Sequence, residues 1–455
     1  MTLTTILLSA ALSLSVSASA QDIDLTGREG IKDYEPTQEV FDARERFRES
    51  KFGVFIHWGI YSMMADGEWV MQKQSVPYAD YSQLAAGFCP SNFNADEWVA
   101  AIKDAGAKYI TITSRHHDGF SMFATKASPY NIVDATPFRR DVLKELADAC
   151  QRQGMTLNFY YSLLDWGRGD YPTGSSGEAF AAEHARADYQ HYADFMCEQI
   201  TELLTNYGPI GCIWFDGDWD QIRKPAPGEE VKVGFDWQYE RIYSLIHKLQ
   251  PSCLVGNNHH RINIPGEDIQ IFERDVPGEN TAGYSRTSVI SHALPLETCQ
   301  TMNRSWGYKI TDHEFKSVDD IVRLLVRTAG RDANLLMNVG PQPDGRIPAT
   351  SLQRFAEVGK WMRANGETIY GTRATLLGPQ PWGVVTHKEG KIWIHVLERP
   401  ADGIITLPFT LKTKQVCAFA DGTPLTFKKT KTDFTVQIPE DADCTPDYIV
   451  EITLK

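Results

Sequence analysis

The 455-residue chain is predicted to fold as a (β/α)8-like TIM barrel with part of its outer helical ring missing, followed by a C-terminal antiparallel β-sandwich. Three observations predict this. From about residue 51, short β-rich runs alternate with stretches whose apolar residues recur at three- and four-residue steps, which is how strand–helix units read. Eight such runs are present, the number that closes a parallel barrel. After Gly371 the helical period stops, and short strands broken by Gly, Pro and Asp turns take over.

In chain order, the barrel strands are read at 51–58, 109–115, 156–162, 212–217, 253–258, 269–274, 298–303 and 334–339. Helical patterns are read at 98–107, 142–153, 192–207, 239–250, 318–331 and 352–364. No clear helix lies between the fifth and sixth strands or between the sixth and seventh. The sandwich strands are read at 382–385, 391–396, 403–407, 415–420, 434–438 and 448–454. The domain division is therefore a leader at 1–20, a barrel at 21–370 and a sandwich at 371–455.

Bulk properties narrow the function. A composition of 42% hydrophobic and 23% charged residues is that of an ordinary globular protein, and this length exceeds one ordinary core. A net charge of −14 with no long Lys/Arg run argues against nucleic acid or an anionic membrane as partner, and favours a neutral substrate. The eight Cys contain no CxxC pair, so neither a zinc motif nor a thioredoxin-like one is expected, and buried free thiols are. Residues 1–20 read as an export signal. Ile6 to Val16 is apolar, and Ala18-Ser19-Ala20 fits a cleavage site before Gln21, although no Lys or Arg precedes the apolar core. No other stretch reaches the roughly 18 apolar residues of a spanning helix. The expectation is a soluble exported protein, periplasmic or secreted.

The chemistry-bearing residues fall where barrel strands should end, which is where barrel enzymes keep their reacting groups. In Cys212-Ile213-Trp214-Phe215-Asp216-Gly217-Asp218 an apolar strand breaks into carboxylates. His57 ends the first strand, His116 and His117 follow the second, and Tyr160-Tyr161 closes the third. His259, His260 and Arg261 follow the fifth, Glu273 is near the end of the sixth, Trp306 follows the seventh and Asn338 is near the end of the eighth. Adjacent His116 and His117 point apart on a strand, so one metal ion rarely takes both. The run from Asp216 to Asp220 resembles the start of a calcium loop, but Gln221 stands where Gly is needed and Pro227 where a carboxylate is needed. Two carboxylates on one rim suit glycoside hydrolysis, with Asp216 as nucleophile and Glu273 as acid/base. The patterns alone leave open a metal-dependent hydrolase using His57, His116 and His117, or a non-catalytic sugar-binding barrel.

Six segments carry a family resemblance: KFGVFIHWGIYS (51–62), GEWV (67–70), SRHHDGFSMF (114–123), WFDGDW (214–219), ETCQTMNRSWGY (297–308) and NLLMNVGP (334–341). Together they resemble the glycoside hydrolase family 29 α-L-fucosidases, closely over 40–370 and loosely over the sandwich. The resemblance implies a retaining exo-hydrolase that releases terminal α-L-fucose from fucosylated glycans through a fucosyl-enzyme intermediate, with no metal and no cofactor. It places the nucleophile on Asp216. It places fucose-binding residues on His57, Glu68, Trp69, His116, His117, Tyr161, Trp214 and Arg261, with Trp306 bordering the pocket for the 6-methyl group. The acid/base is assigned to Glu273, with Glu279 on the following loop second. Glu297 is third and is expected to be structural.

Overall fold

A computed structural model describes residues 29–222 and 234–455. The export signal expected at 1–20 lies outside the described residues. No helix among those described is long and apolar enough to cross a membrane.

The barrel strands are β1 (Phe52–Ile56), β2 (Tyr109–Arg115), β3 (Thr156–Ser162), β4 (Cys212–Asp216), β5 (Leu254–Asn257), β6 (Gln270–Glu273), β7 (Leu296–Thr301) and β8 (Ala333–Val339). They pair in parallel in the order β5-β4-β3-β2-β1-β8-β7-β6. The main helices are α1 (Gln38–Ser50), α2 (Ala95–Asp104), α3 (Val142–Gln153), α4 (Tyr189–Asn206), α5 (Tyr239–Leu249), α6 (Val318–Ala329) and α7 (Ala349–Asn365). As expected, no helix covers the connections from β5 to β6 or from β6 to β7. β7 begins two residues before its expected start, and Glu297, expected to be structural, is a strand residue inside the barrel.

Alternation along the strands separates two cores. Val54, Ile56, Ile110, Ile112, Phe159, Ile213, Phe215, Leu335 and Met337 face the helices and belong to the large outer cluster. Phe55, Tyr109, Tyr160, Cys212, Trp214, Leu254, Ile269, Ile271, Cys299 and Leu336 fill the barrel lumen. Helix α1, not anticipated from the sequence, adds Val40, Ala43 and Phe47 to that inner cluster and so plugs the lumen. Its apolar face is only these few residues, a thin signal for a helix.

The seam between β5 and β6 has a single bridge, Gly256 to Ile269. A side chain completes it. Asp268 Oδ2 accepts from the Val255 amide at 2.8 Å, and Arg44 of α1 donates to Asp268 Oδ1 through Nε at 3.1 Å and through a terminal nitrogen at 2.7 Å. Such a buried charge is tolerable only because it is fully paired.

After residue 372 the chain forms β9 (Arg373–Ala374), β10 (Gly383–Lys388), β11 (Lys391–Val396), β12 (Ile404–Leu407), β13 (Thr413–Ala418), β14 (Phe427–Lys429), β15 (Phe434–Gln437) and β16 (Tyr448–Leu454). A five-stranded sheet in the order β13-β16-β11-β10-β9 faces a three-stranded sheet in the order β12-β15-β14, and every pairing is antiparallel. The core between them includes Ile394, Ile405, Leu407, Phe434, Val436 and Ile452. Helix α6 holds the sandwich to the barrel: Arg323 donates to the carbonyls of Leu397, Cys444 and Pro446. Gly330 lies so close to Val384 that an added Cβ would stand 2.4 Å from it.

Candidate active site

Parity along the inner strand faces builds the site. On β4 the inward series runs Cys212, Trp214, Asp216, and from Ile269, just before β6, it runs through Ile271 to Glu273. Continuing the series of Leu254 and Gly256, Asn258 stands just beyond β5. All three open into a cavity of about 570 Å³ at the C-terminal end of the barrel. Gly217, with φ of 101°, makes the turn out of β4.

One amide joins the two carboxylates. Asn258 Nδ2 donates to Asp216 Oδ1 at 3.3 Å and to Glu273 Oε2 at 2.9 Å. Those two oxygens are therefore closer than the two contacts laid end to end. Retaining glycosidases keep their carboxyls about 5–5.5 Å apart and inverting ones about 6.5–9.5 Å, and one amide reaching both groups fits the closer arrangement. Tyr160 OH donates to Asp216 Oδ2 at 2.9 Å, and Trp219 Nε1 donates to Asp216 Oδ1 at 3.3 Å. Burial raises the Asp216 carboxyl above its ordinary range, against these three donors, which favour the ionised form. Burial, and then the neighbouring Asp216 charge, push Glu273 up to about 7.

The imidazoles are neutral. Burial drives His57 down to about 3 and holds His116 and His117 well below the usual range. Hydrogen bonds fix their tautomers. Asn338 donates through Nδ2 to the Trp306 carbonyl at 2.7 Å, so its Oδ1, 2.6 Å from His57 Nδ1, accepts from that nitrogen. Ser162 Oγ donates to the Leu164 carbonyl at 2.7 Å and so accepts from His117 Nδ1, also at 2.7 Å. His117 Nε2 is thus an acceptor, and it stands 3.6 Å from Asp216 Oδ2. Two acceptors facing across that gap suit a ligand hydroxyl that donates to one of them.

The loop after β1 brings Glu68 and Trp69. Glu68 Oε2 accepts from the Gly307 amide at 2.8 Å, which ties this loop to the one carrying Trp306. Gly307 must be Gly, since a Cβ there would meet the Glu68 nitrogen at 2.9 Å. Trp69 stacks on Trp219 with centroids 5.6 Å apart. Phe55, Trp214, Cys299 and Trp306 border the cavity as an apolar wall.

The cavity therefore gathers His57, Glu68, Trp69, His116, His117, Trp214, Asp216, Glu273 and Trp306 from the sequence reading. It does not gather four others. Tyr161 faces outward and donates to Gln199 at 2.8 Å, whereas its neighbour Tyr160 lines the cavity. Arg261 is buried beside the cavity, behind Glu273, and His260 reaches the lining instead. Glu279 is held outside by Arg327 and Arg331 at 2.6 and 2.7 Å. Glu297 is sealed in the lumen, accepting from Tyr109 OH at 2.6 Å and Trp214 Nε1 at 2.8 Å. Sequence reading missed Asn258, Trp219 and Tyr284 as site residues. Counting by twos from Leu254 finds the first, and WFDGDW contains the second. Among the described residues no three His, Cys, Asp or Glu side chains form a group that could hold a metal ion.

Residues 25–367 match the family model described as Alpha-L-fucosidase. The chain is 30% identical to plasma alpha-L-fucosidase of Homo sapiens over 415 residues, covering 82% of this chain and 81% of that protein. It is 29% identical to an alpha-L-fucosidase of Branchiostoma floridae, covering 89% and 92%. Among solved structures, alpha-L-fucosidase isoenzyme 1 from Paenibacillus thiaminolyticus superposes with a TM-score of 0.78 at 33% identity, over 92% of this chain and all of that one. The alpha-fucosidase of Thermotoga maritima gives 0.71 at 25% identity, again over 92% and 100%.

Proposed function

The chain belongs to the α-L-fucosidase family of glycoside hydrolases, and on that premise we propose that it releases terminal α-L-fucose from fucosylated glycans by double displacement at Asp216 and Glu273. The observation that carries this reading is the Asn258 amide shared by both carboxylates at the floor of the cavity.

In the first step Asp216 attacks the anomeric carbon while Glu273, protonated, gives its proton to the departing oxygen. A carboxyl with a pKa of about 7 is available as an acid near neutrality. Once Asp216 is esterified, its charge no longer holds Glu273 up. Glu273 then ionises more readily and removes a proton from the water that cleaves the ester. Asn258 remains bonded to Glu273 and favours that ionised form.

Neutral His57, His116 and His117, with Glu68, suit the hydroxyls of an uncharged sugar, and the wall of Phe55, Trp214, Cys299 and Trp306 suits a methyl in place of a hydroxymethyl group. A net charge of −14 supports a neutral glycan over a polyanion such as nucleic acid. The pattern of residues 1–20 supports export, and comparing the N-terminus of the mature protein with Gln21 tests it.

Two measurements test the mechanism. Proton NMR of the first-formed product from an aryl α-L-fucoside should show the α-anomer, and first-formed β-fucose would overturn double displacement. A slow 2-fluorofucosyl donor should label the peptide containing Asp216, and a label elsewhere would move the nucleophile.

A further inference from the structure

We propose that Tyr284 is the stacking platform for the sugar to which the fucose is attached, which makes this a saccharide-selective site for the leaving group. This rests on the fucosidase reading above and extends it to the part of the substrate beyond fucose.

Several large apolar side chains are exposed among the described residues, including Ile262, Val289, Ile310 and Leu376, and scattered exposure of this kind is ordinary. Of those exposed ones, Tyr284 alone lines the catalytic cavity. The residue is 43% exposed. It stacks on His260 with centroids 5.7 Å apart and planes at 24°. His260 Nε2 in turn stands 3.6 Å from Glu273 Oε2. The ring is thus on the side of the acid/base, and the leaving group must lie there, since its oxygen takes the Glu273 proton.

The loop that presents Tyr284, residues 274–295, has no helix or strand of its own, yet it is pinned along its length. Asp275 accepts from the amides of Thr281 and Ala282 at 3.0 and 2.9 Å. Glu279 is clamped by Arg327 and Arg331. The Arg286 amide donates to the His260 carbonyl at 2.7 Å. Gln270 holds Ser291 and Val289 at 2.7 and 2.9 Å. A ring kept partly in water by so many anchors is preformed for a ligand and costs little further ordering on binding. A flat aromatic face beside a proton donor fits the C–H face of a pyranose ring, with the polar edges of the sugar left to water.

The test compares wild type with Tyr284→Ala and Tyr284→Phe on two substrate types. One is α-L-fucosyl fluoride, whose leaving group is too small to reach Tyr284. The other is a set of fucosyl-N-acetylglucosamine disaccharides of each linkage. Tyr284→Ala should lower kcat/KM on the best disaccharide by about ten-fold or more, with fluoride hydrolysis changed by less than about two-fold. Tyr284→Phe should restore the disaccharide rate, because the ring face is what matters. Equal losses on both substrates, no loss on either, or a wild type indifferent to every disaccharide would each overturn the proposal. A wild type inactive on the fluoride as well would instead sink the fucosidase reading.

Discussion

Two glutamates, one at the mouth of the barrel and one in its throat, both sit near pKa 7. Burial raises each: Glu273 with help from the Asp216 charge, Glu297 against hydrogen bonds from Tyr109 and Trp214. Acidity does not tell them apart, and depth does. The Glu273 side chain is 18% exposed and faces the cavity, while Glu297 is 1% exposed with a donor on each oxygen. A perturbed carboxyl becomes chemistry only where a substrate can reach it.

The largest break in that comparison should come from the partner carboxylate. Asp216→Ala should lose about a thousand-fold or more in kcat/KM on an aryl fucoside, with its thermal transition close to wild type. Glu273→Ala should lose about a hundred-fold or more on substrates with poor leaving groups and far less on activated aryl fucosides, with azide restoring part of the rate. An equal loss on both kinds of substrate would deny Glu273 its role as acid.

The pH dependence sharpens the contrast. Glu273 must be protonated to act, so kcat/KM on a disaccharide should fall as pH rises through about 7, and Glu273→Gln should abolish that limb. Glu297 should speak through stability instead. Its folded pKa is raised above the unfolded value, so its contribution is intact below about pH 4.5 and is lost as pH rises through about 7. Glu297→Gln should remove that loss, at most about 3 kcal/mol, from chemical denaturation curves at pH 5 and 8. It should leave kcat/KM within about two-fold, since the residue touches no substrate. The smallest effect expected is that of a chelator, which should leave the rate unchanged.

Much of this was legible in the chain because a parallel barrel places its chemistry at strand ends. Asp216 and Glu273 each terminate an apolar run that can be counted from the sequence. Tyr161 was misread for Tyr160 because β3 is buried on both faces except at Thr156, so no polar alternation marks which side is which. The pairing of β3 with β2 also shifts between Thr113 and Arg115, which breaks the count carried over from the neighbour. Arg261 and Glu279 lie beyond strand ends, where loop shape rather than parity decides direction. Glu297 was expected to be structural, yet the strand carrying it was placed two residues late, because a charge inside a barrel contradicts burial rules until its two donors are known. Tyr284 had no sequence signal at all, since its position depends on anchors distant in the chain.

The seam beside these residues has a consequence for how the enzyme wears out. On one side of it β4 carries Asp216 and Asn258 stands just beyond β5, and on the other β6 carries Glu273, with one bridge, the Val255–Asp268 contact braced by Arg44 and the Asn258 amide joining the two. The reacting groups are spaced by a joint rather than a continuous ladder. Gentle heating or loss of the segment before β1 should therefore misalign the carboxylates, and silence turnover, before the barrel itself comes apart.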